Sequence, residues 1–457
     1  MLSHQKPTIA IVGGGLAGLT LSIGLTRKGI PHTIYESAAK FAEIGAGIAL
    51  GPNSITALEL IDPRIKDVLK KCVSYNEGLD GQGEGVGADE WLDIRIGEEQ
   101  DFNSIITTIR HTGSDKPGRA CVHRAKFLEG LIDLIPPSTA VFGKSLTSIT
   151  EVPSTGKLSL SFADGTSATA DAIIACDGIK SVARQNYVLT GPIDQKISRP
   201  VFTNDVAYRG MFPRDRFSQI VDGAISTGKG NLFCGPSSYV VMYPVEKGAM
   251  MNVVAIKNIS SQKSQATSSQ RETNWVQNVT QETMLEDFEG WGAPIKALLK
   301  NIESPQRWAL YDHLPASTFV KGRVALMGDA AHATTPHQGQ GAGMAFEDSL
   351  VLSNILGQVL NEAPTQESEV QETVHMNKCI ESCLQAYDEV RRLRTQKVTA
   401  TSREMGEIIG FAGKGIGRDL GKLKANLDVR MNWIWDVDLP GEITRGVVIA
   451  RKLNSSV

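Results

Sequence analysis

Three groups of residues in this chain have the types and spacing to do chemistry. The first is Gly13-Gly14-Gly15-Leu16-Ala17-Gly18, with Glu36 standing 18 positions beyond the last glycine. In a G-x-G-x-x-G pattern the first glycine allows a tight turn, the second lets a pyrophosphate approach the backbone, and the third lets a helix pack closely on a strand. A carboxylate at the position of Glu36 accepts hydrogen bonds from ribose hydroxyls, so Gly13, Gly15, Gly18 and Glu36 together suit a dinucleotide. Alone, the glycines describe an ordinary turn. The second group is Asp177-Gly178, at the end of an apolar run. The third is Gly328-Asp329, followed by Gly339, Gly341 and Gly343. His332 and His337 stand five apart, the wrong phase for one helical face, and no acid cluster completes a ligand set, so no metal is expected.

The elements around these groups decide between the readings. Ile9-Ala-Ile-Val12 has the length and β-branched content of a buried parallel strand. Leu16 starts a helical pattern that ends near Lys28-Gly29, and His32 to Tyr35 forms a second strand that delivers Glu36. With strand, helix, strand and acid in order, the dinucleotide reading wins, and the positive helix end faces the phosphates. Ala172 to Cys176 is another buried strand, ending at Asp177, with Ser181 and Arg184 on a helix beyond. Val324 to Met327 is a third, and it carries Asp329 at its carboxyl end, where open α/β sheets bind ligands. A long helix follows from Met344 to Leu360.

Between these strands lie less determined stretches. Gly45, Gly47 and Gly51 form a loop whose backbone could lie against a flat ligand, or a plain glycine-rich turn, before a helix from Asn53 to Ile61. Gly78 to Gly97 reads as a flexible loop or irregular hairpin, and its Gly81-x-Gly83 lacks a preceding strand. Arg124 begins an amphipathic helix ending at Pro136-Pro137, where a guanidinium can reach a phosphate or ribose; taken alone it also reads as a solvated surface arginine. Leu146–Thr150 and Lys157–Phe162 are hairpin-like, with a turn at Asp164-Gly165. From Gln195 to Asn258 the pattern becomes one of strands, which predicts an antiparallel sheet and hence a second domain. Asn258 to Thr273 reads as a polar loop, Trp275 to Asn301 as helical, and residues 361–457 as mostly helical and charged, with a simple loop at Gly413-x-Gly415-x-Gly417.

Composition narrows the classes. At 457 residues the chain is too long for one simple core. Hydrophobic residues at 41% and charged residues at 21% suit a globular protein, and a net charge of −3 gives no electrostatic reason for a nucleic-acid or anionic-membrane partner. Six scattered cysteines fit reduced thiols and a cytoplasmic location, and Cys379-x-x-x-Cys383 has no companions for a zinc site. The apolar N-terminal run carries three consecutive glycines and no small-residue cleavage pattern, so it is not read as a signal peptide. No window is apolar for long enough to span a bilayer. Without a secretory route the triplets Asn258-Ile-Ser260 and Asn278-Val-Thr280 are read as accidental.

GGGLAGL near the start, CDGIKS in the middle and GDAAHATTPHQGQGAGMAFED late occur in an order that resembles class A flavin-dependent aromatic monooxygenases, close to the salicylate-hydroxylase-like members, over residues 8–440. The resemblance implies an α/β fold: a discontinuous Rossmann-like FAD-binding domain (1–75, 105–190 and 300–360), an antiparallel-sheet substrate domain (76–104 and 191–299) and a helical C-terminal segment (361–457). It implies that Glu36 holds the adenosine ribose of FAD and that Arg124 lies along the phosphate–ribityl chain. Asp177 would serve both FAD and a transient nicotinamide, and Asp329 the ribityl hydroxyls. Gly341-Ala342-Gly343 would offer amides at a helix start near the flavin ring, where that end can stabilise negative charge, and Ala49 falls on the loop beside the flavin. The implied reaction uses NAD(P)H and O2 to hydroxylate an electron-rich phenolic substrate, salicylate-like or a phenolic polyketide, through a flavin C4a-hydroperoxide. Decarboxylation and dearomatisation are both known outcomes of such chemistry. No second dinucleotide fingerprint is present, consistent with a nicotinamide that visits and leaves, in a monomer or homodimer.

In similar fungal enzymes that hydroxylate phenolic polyketides, an arginine and a tyrosine on strands beside the substrate favour the phenolate. The corresponding residues are Arg209 in Tyr208-Arg-Gly and Tyr243 in Tyr243-Pro-Val. Either could instead be structural. Tyr239 is a departure, since relatives often carry histidine there. Halogenation is a neighbouring chemistry, but Trp433-Ile-Trp435 continues as Asp-Val-Asp rather than the halogenase signature. A non-catalytic FAD-binding protein is the remaining alternative, and the intact Gly328-Asp329 and flavin-loop glycines argue against it.

Overall fold

Ile9–Val12 is buried at all four positions because it is a middle strand of the sheet. The structure, a computed structural model, describes residues 6–41, 47–79, 84–111, 113, 117–260, 275–362 and 369–455. The sheet runs Val320–Lys321, Val324–Leu326, Ala172–Ala175, Ile9–Val12, His32–Glu36 and Ala140–Phe142. Its neighbours are parallel except for the first pair. The helices Leu16–Arg27 and Gly341–Leu360 cover it, joining Ile9, Ile11, Leu19, Leu350 and Leu352 in one core. Each such side chain contributes about 2 kcal/mol on burial. Because the parallel strands share one direction, their carboxyl ends bring Gly13, Glu36, Asp177 and Asp329 to the same edge.

The second sheet has eight strands in the order Val276–Asn278, Gln306–Asp312, Val201–Pro213, Met250–Asn258, Ser238–Val245, Asn231–Gly235, Glu90–Ile96 and Ile105–Arg110. Only the Asn231–Gly235 and Glu90–Ile96 pair is parallel. The sheet thus takes in Ile105–Arg110 and Gln306–Asp312, beyond the boundaries at 104 and 299 expected from sequence. Gln306–Asp312 pairs with Val201–Pro213, about a hundred residues earlier, and local alternation carries no record of a distant partner; Ile105–Arg110 joins the edge by pairing with its neighbour Glu90–Ile96.

Other stretches also differ from expectation. The glycine-rich region after Gly78 contains a strand, Glu90–Ile96, in the sheet interior. Trp275 to Asn301 is not one helix: Val276–Asn278 is a strand, and the helices Gln281–Glu286 and Ala293–Lys300 are separated by a turn with Gly290 at φ 78°. The Arg124 helix ends at Ile132, before the prolines. The long helix starts at Gly341 rather than Met344, and beyond Asp177 there is only a single wide turn, Arg184–Val188. The hairpin at Asp164-Gly165 is present, as the Lys157–Phe162 and Ser167–Ala170 strands of a three-stranded sheet with Leu146–Val152. Gly45, Gly81, Gly83 and residues 261–273 lie outside the described residues.

Gly47–Leu50 pairs with Ala120–His123, which also pairs with Val73–Ser74. The C-terminal segment is helical, with Glu369–Ile409, Leu420–Arg430 and Leu439–Ser455. It is bolted to the Gly341–Leu360 helix by buried charges: Arg391 donates to Asp348 (2.9 Å), Glu347 (2.7 Å) and Glu442 (2.6 Å). Among the described residues all six cysteines are free, and no helix is long and apolar enough to cross a membrane.

Candidate active site

A cavity of about 640 Å³ runs from the first strand–helix turn to one face of the eight-stranded sheet. Its floor is built by backbone. Gly13 adopts φ 101°, and a Cβ there would fall 2.3 Å from the Cys176 carbonyl oxygen, so the turn and the Ala172–Ala175 strand close up only with glycine. Gly18 serves packing, as expected: a Cβ would meet the Gly13 carbonyl oxygen at 2.0 Å. Gly15 is the N-cap of the Leu16–Arg27 helix and lines the cavity.

Acids ring this floor. Glu36 lines the cavity with its carboxylate turned back on the turn, accepting from the Gly14 amide (2.6 Å) and the Ala38 amide (2.7 Å). A carboxylate has about four lone-pair sites, so acceptor capacity remains for ribose hydroxyls. Asp177 Oδ2 accepts from the Val182 amide at 2.8 Å, while Oδ1 is buried with no partner among the described residues. Burial pushes the Asp177 carboxyl above its usual range, against the pull of those hydrogen bonds. Asp329 follows Gly328 (φ 60°) at the end of the Val324–Leu326 strand and is open to the cavity. Arg124 stands at the first position of its helix on the cavity wall; burial lowers its pKa, the Asp329 charge opposes that, and Arg209 adds to it.

Gly341 and Ala342 line the cavity within the first turn of the Gly341–Leu360 helix, where amides lack intrahelical partners. Gly343 does not line it: a Cβ there would fall 2.3 Å from Ser54 Oγ, so this glycine seats the helix against Pro52–Ile61. Beside that turn, Gln340 Nε2 and Oε1 and Gln338 Nε2 are buried without partners among the described residues. Such orphaned donors and acceptors are costly unless a ligand satisfies them. Together with Asp177 Oδ1 and the glycine cradle, they fit an extended dinucleotide carrying a polar ring. Ala49 lines the same wall on the Gly47–Leu50 strand.

The roof is built by side chains. Antiparallel register sets Arg209 opposite Val254 and Val254 opposite Val241. It likewise sets Met211, Asn252 and Tyr243 abreast, and Ala207, Ile256 and Tyr239 abreast. With a period of two, Tyr239, Val241 and Tyr243 all face the cavity, whereas Val240 and Met242 face the core on the other side with Phe233. Arg209 is accessible from the cavity, its guanidinium over the Trp308 ring at 5.2 Å. The Tyr243 hydroxyl donates to the Gly47 carbonyl at 2.9 Å. Burial pushes its pKa up, with Arg119, Arg209 and a hydrogen bond from Asn252 opposing. Tyr243 is therefore a neutral phenol with its proton engaged on the Gly47–Leu50 strand.

Three contributors escaped the sequence reading. The Tyr239 hydroxyl is 2.8 Å from His337 Nδ1, and His337 Nε2 lies 3.3 Å from Asp205 Oδ2, unaligned for a hydrogen bond. The sequence raises His337 only in the question of a metal ligand; among the described residues no group of three or more His, Cys, Asp or Glu could hold a metal. Arg119 and Trp91 also line the cavity. Trp91 lies on the strand hidden in the glycine-rich region, and Arg119 just precedes a strand whose pattern points to Arg124.

Comparison with known proteins agrees with this geometry. Residues 159–372 match a family described as an FAD binding domain. The chain is 37% identical to a 6-methylsalicylate 1-monooxygenase of Aspergillus terreus, over 96% of this chain and 91% of that one. It is 32% identical to a salicylate hydroxylase of Pseudomonas putida, over 95% and 93%. A solved salicylate hydroxylase substrate complex superimposes with a TM-score of 0.80 at 32% identity, covering 97% of this chain and 99% of the other. The chain therefore belongs to the FAD-dependent monooxygenases of the salicylate hydroxylase type, which act on aromatic substrates.

Proposed function

We propose that the protein uses NAD(P)H and O2 to hydroxylate an electron-rich phenol at the roof of this cavity. The observation that carries the reading is the meeting of Arg209 and Tyr243 on one pleated face, in a cavity continuous with the FAD cradle. Bound FAD would supply the redox chemistry, hydride acceptance and oxygen activation. On the floor, Glu36 would hold the adenosine ribose, with Gly13 and Gly15 admitting the pyrophosphate. Arg124 and Asp329 would hold the phosphate–ribityl chain, Asp177 would serve FAD and the visiting nicotinamide, and the Gly341 and Ala342 amides and Ala49 would line the end of the cradle that receives the flavin.

The roof activates the phenol. Phenolates are far better nucleophiles than phenols, and a cation close by favours the ionised form. Arg209 supplies that charge. Tyr243, kept neutral by burial, donates to the substrate oxygen when it exchanges its Gly47 partner. The phenolic proton leaves through Tyr239, whose hydroxyl accepts it while passing its own to His337 Nδ1. The Asp205 carboxylate beside Nε2 favours the tautomer in which Nδ1 is the acceptor. Apolar neighbours, among them Val241, Val254 and Leu310, exclude water from the reacting ring.

The test is NAD(P)H oxidation and O2 uptake with a panel of salicylates, resorcylates and polyketide phenols, products identified by mass. A hydroxylated product formed in proportion to NAD(P)H consumed supports the proposal. FAD-loaded protein that oxidises NAD(P)H and yields only hydrogen peroxide with every phenol would refute it.

A further inference from the structure

We infer that Arg119 is a specificity-determining residue that receives the carboxylate of an aromatic hydroxy acid. The inference rests on the phenol-hydroxylation reading and narrows its substrates to phenols that carry an anionic group.

Three buried arginines make the case by contrast. Arg184 is fully buried and donates to the backbone carbonyls of Ala331 (2.8 Å), Ile197 (3.1 Å), Ser198 (3.1 Å) and Ala330 (3.2 Å). Arg391, equally buried, meets three carboxylates. Arg119 is 3% exposed and has neither arrangement. Its Nε donates to Cys121 Sγ at 3.1 Å, a weak acceptor, and its Nη1 to the Trp91 carbonyl at a long 3.4 Å. Among the described residues Nη2 makes no hydrogen bond, and no carboxylate lies within 4.0 Å of the guanidinium. A buried charge held this way is costly until an anion pairs with it.

The surroundings are shaped for such pairing. The guanidinium lies 4.5 Å from the Tyr243 ring centroid and 5.3 Å from that of Trp91. Gly230 gives it room, since a Cβ there would fall 2.1 Å from Nη1. Arg119 shares the cavity wall with Leu92, Leu232, Val241 and Arg209. Two cations with apolar surface match a flat ring bearing two anionic oxygen groups: the ionised hydroxyl at Arg209 and the carboxylate at Arg119. A planar guanidinium can hold a carboxylate through two parallel hydrogen bonds, which an ammonium cannot reproduce.

The experiment titrates FAD-loaded protein with 2-hydroxybenzoate and its uncharged isostere 2-hydroxybenzamide, reading the change in flavin absorbance. Wild type should bind the acid at least roughly thirty-fold more tightly than the amide. Arg119→Gln should weaken the acid by roughly a hundred-fold and the amide by less than about threefold, with Arg119→Lys between. Equal affinity for the two probes in wild type, binding of neither, or equal losses in Arg119→Gln would overturn the assignment; the wild-type comparison stands even if a variant fails to fold. Turnover separates the two claims. Hydroxylation of acid and amide with equal efficiency would leave the phenol reading intact and remove the anion site. Arg119-dependent binding of the acid with no phenol hydroxylated would do the reverse.

Discussion

The floor and the roof of the cavity are made in opposite ways. The floor is shaped by backbone: glycines at 13, 18 and 341, amides at a helix start, and acids at strand ends placed by the parallel sheet. On the roof, the backbone only supplies a pleat, and the cavity is lined by side chains at alternate positions, Arg209, Tyr239 and Tyr243 among them. A floor of this kind tolerates almost no change, since a Cβ at Gly13 or Gly18 would fall on backbone. A roof of this kind can be re-specified one side chain at a time.

Substitutions can break this contrast, and the largest effect belongs to the floor. Asp329→Ala should weaken FAD by roughly a hundred-fold or more, since hydrogen bonds to a charged group contribute about 1.5–3 kcal/mol each. Purified protein should be yellow with about one FAD per chain for wild type and pale for the variant, measured by absorbance after gel filtration. A variant that keeps its full flavin would remove Asp329 from the cradle.

Roof variants should keep FAD and lose chemistry. Arg209→Gln and Tyr243→Phe should each slow hydroxylation by up to roughly a hundred-fold while flavin reduction falls much less, with hydrogen peroxide rising in compensation. Unchanged product per NAD(P)H in both would place activation at Tyr239 instead. Gly47 sits on the seam between floor and roof, where a Cβ would fall 2.7 Å from the Tyr243 ring. Gly47→Ala should therefore lower both substrate-stimulated flavin reduction and coupling, by about tenfold for one added methyl in a tight contact. Equal flavin reduction with and without a substrate, in wild type, would show that the two regions are not linked.

The smallest effect is on stability. Beside the floor, His313 is buried, its Nε2 is 3.1 Å from the Ile179 carbonyl, and burial with the Arg184 charge lowers its pKa to about 3. Above pH 6.5 the folded and unfolded states are both neutral at this residue and it costs nothing. Below that, the unfolded chain takes up a proton that the fold refuses, so stability falls as pH drops from 6.5 towards 3. The loss should reach about 1 kcal/mol by pH 5.5. His313→Gln should flatten that slope in urea titrations at pH 7 and 5.5, and an unaltered slope would assign the acid sensitivity elsewhere.

The same contrast explains what could be read from sequence. Gly13, Gly15, Gly18 and Glu36 were legible because a strand–turn–helix–strand unit demands glycines and an acid at fixed spacing, and Asp177 and Asp329 because each follows an apolar run that reads as a buried strand, their roles being implied by the family resemblance. Arg119 and His337 were not, because a roof residue is defined by which strands lie beside it, and Glu90–Ile96 pairs with a strand over a hundred residues away. Gly343 was legible as a needed glycine but not for its reason, since Ser54 comes from a separate helix. The expectation of Arg209 and Tyr243 beside the substrate, with a structural role for Tyr243 as the alternative, contained no sign of Gly47, whose carbonyl accepts from the Tyr243 hydroxyl.

The two faces of the Ser238–Val245 strand have a consequence for how such enzymes diversify. Val240 and Met242 are locked into a core with Phe233 and Met251, while Tyr239, Val241 and Tyr243 look into the cavity. Stability and substrate choice are therefore inherited by separate, interleaved residues of a single strand. A lineage can exchange the odd-numbered positions to meet a new ring without re-solving the fold, provided it never gains or loses one residue, since a single-residue slip would trade the two sets of side chains at once.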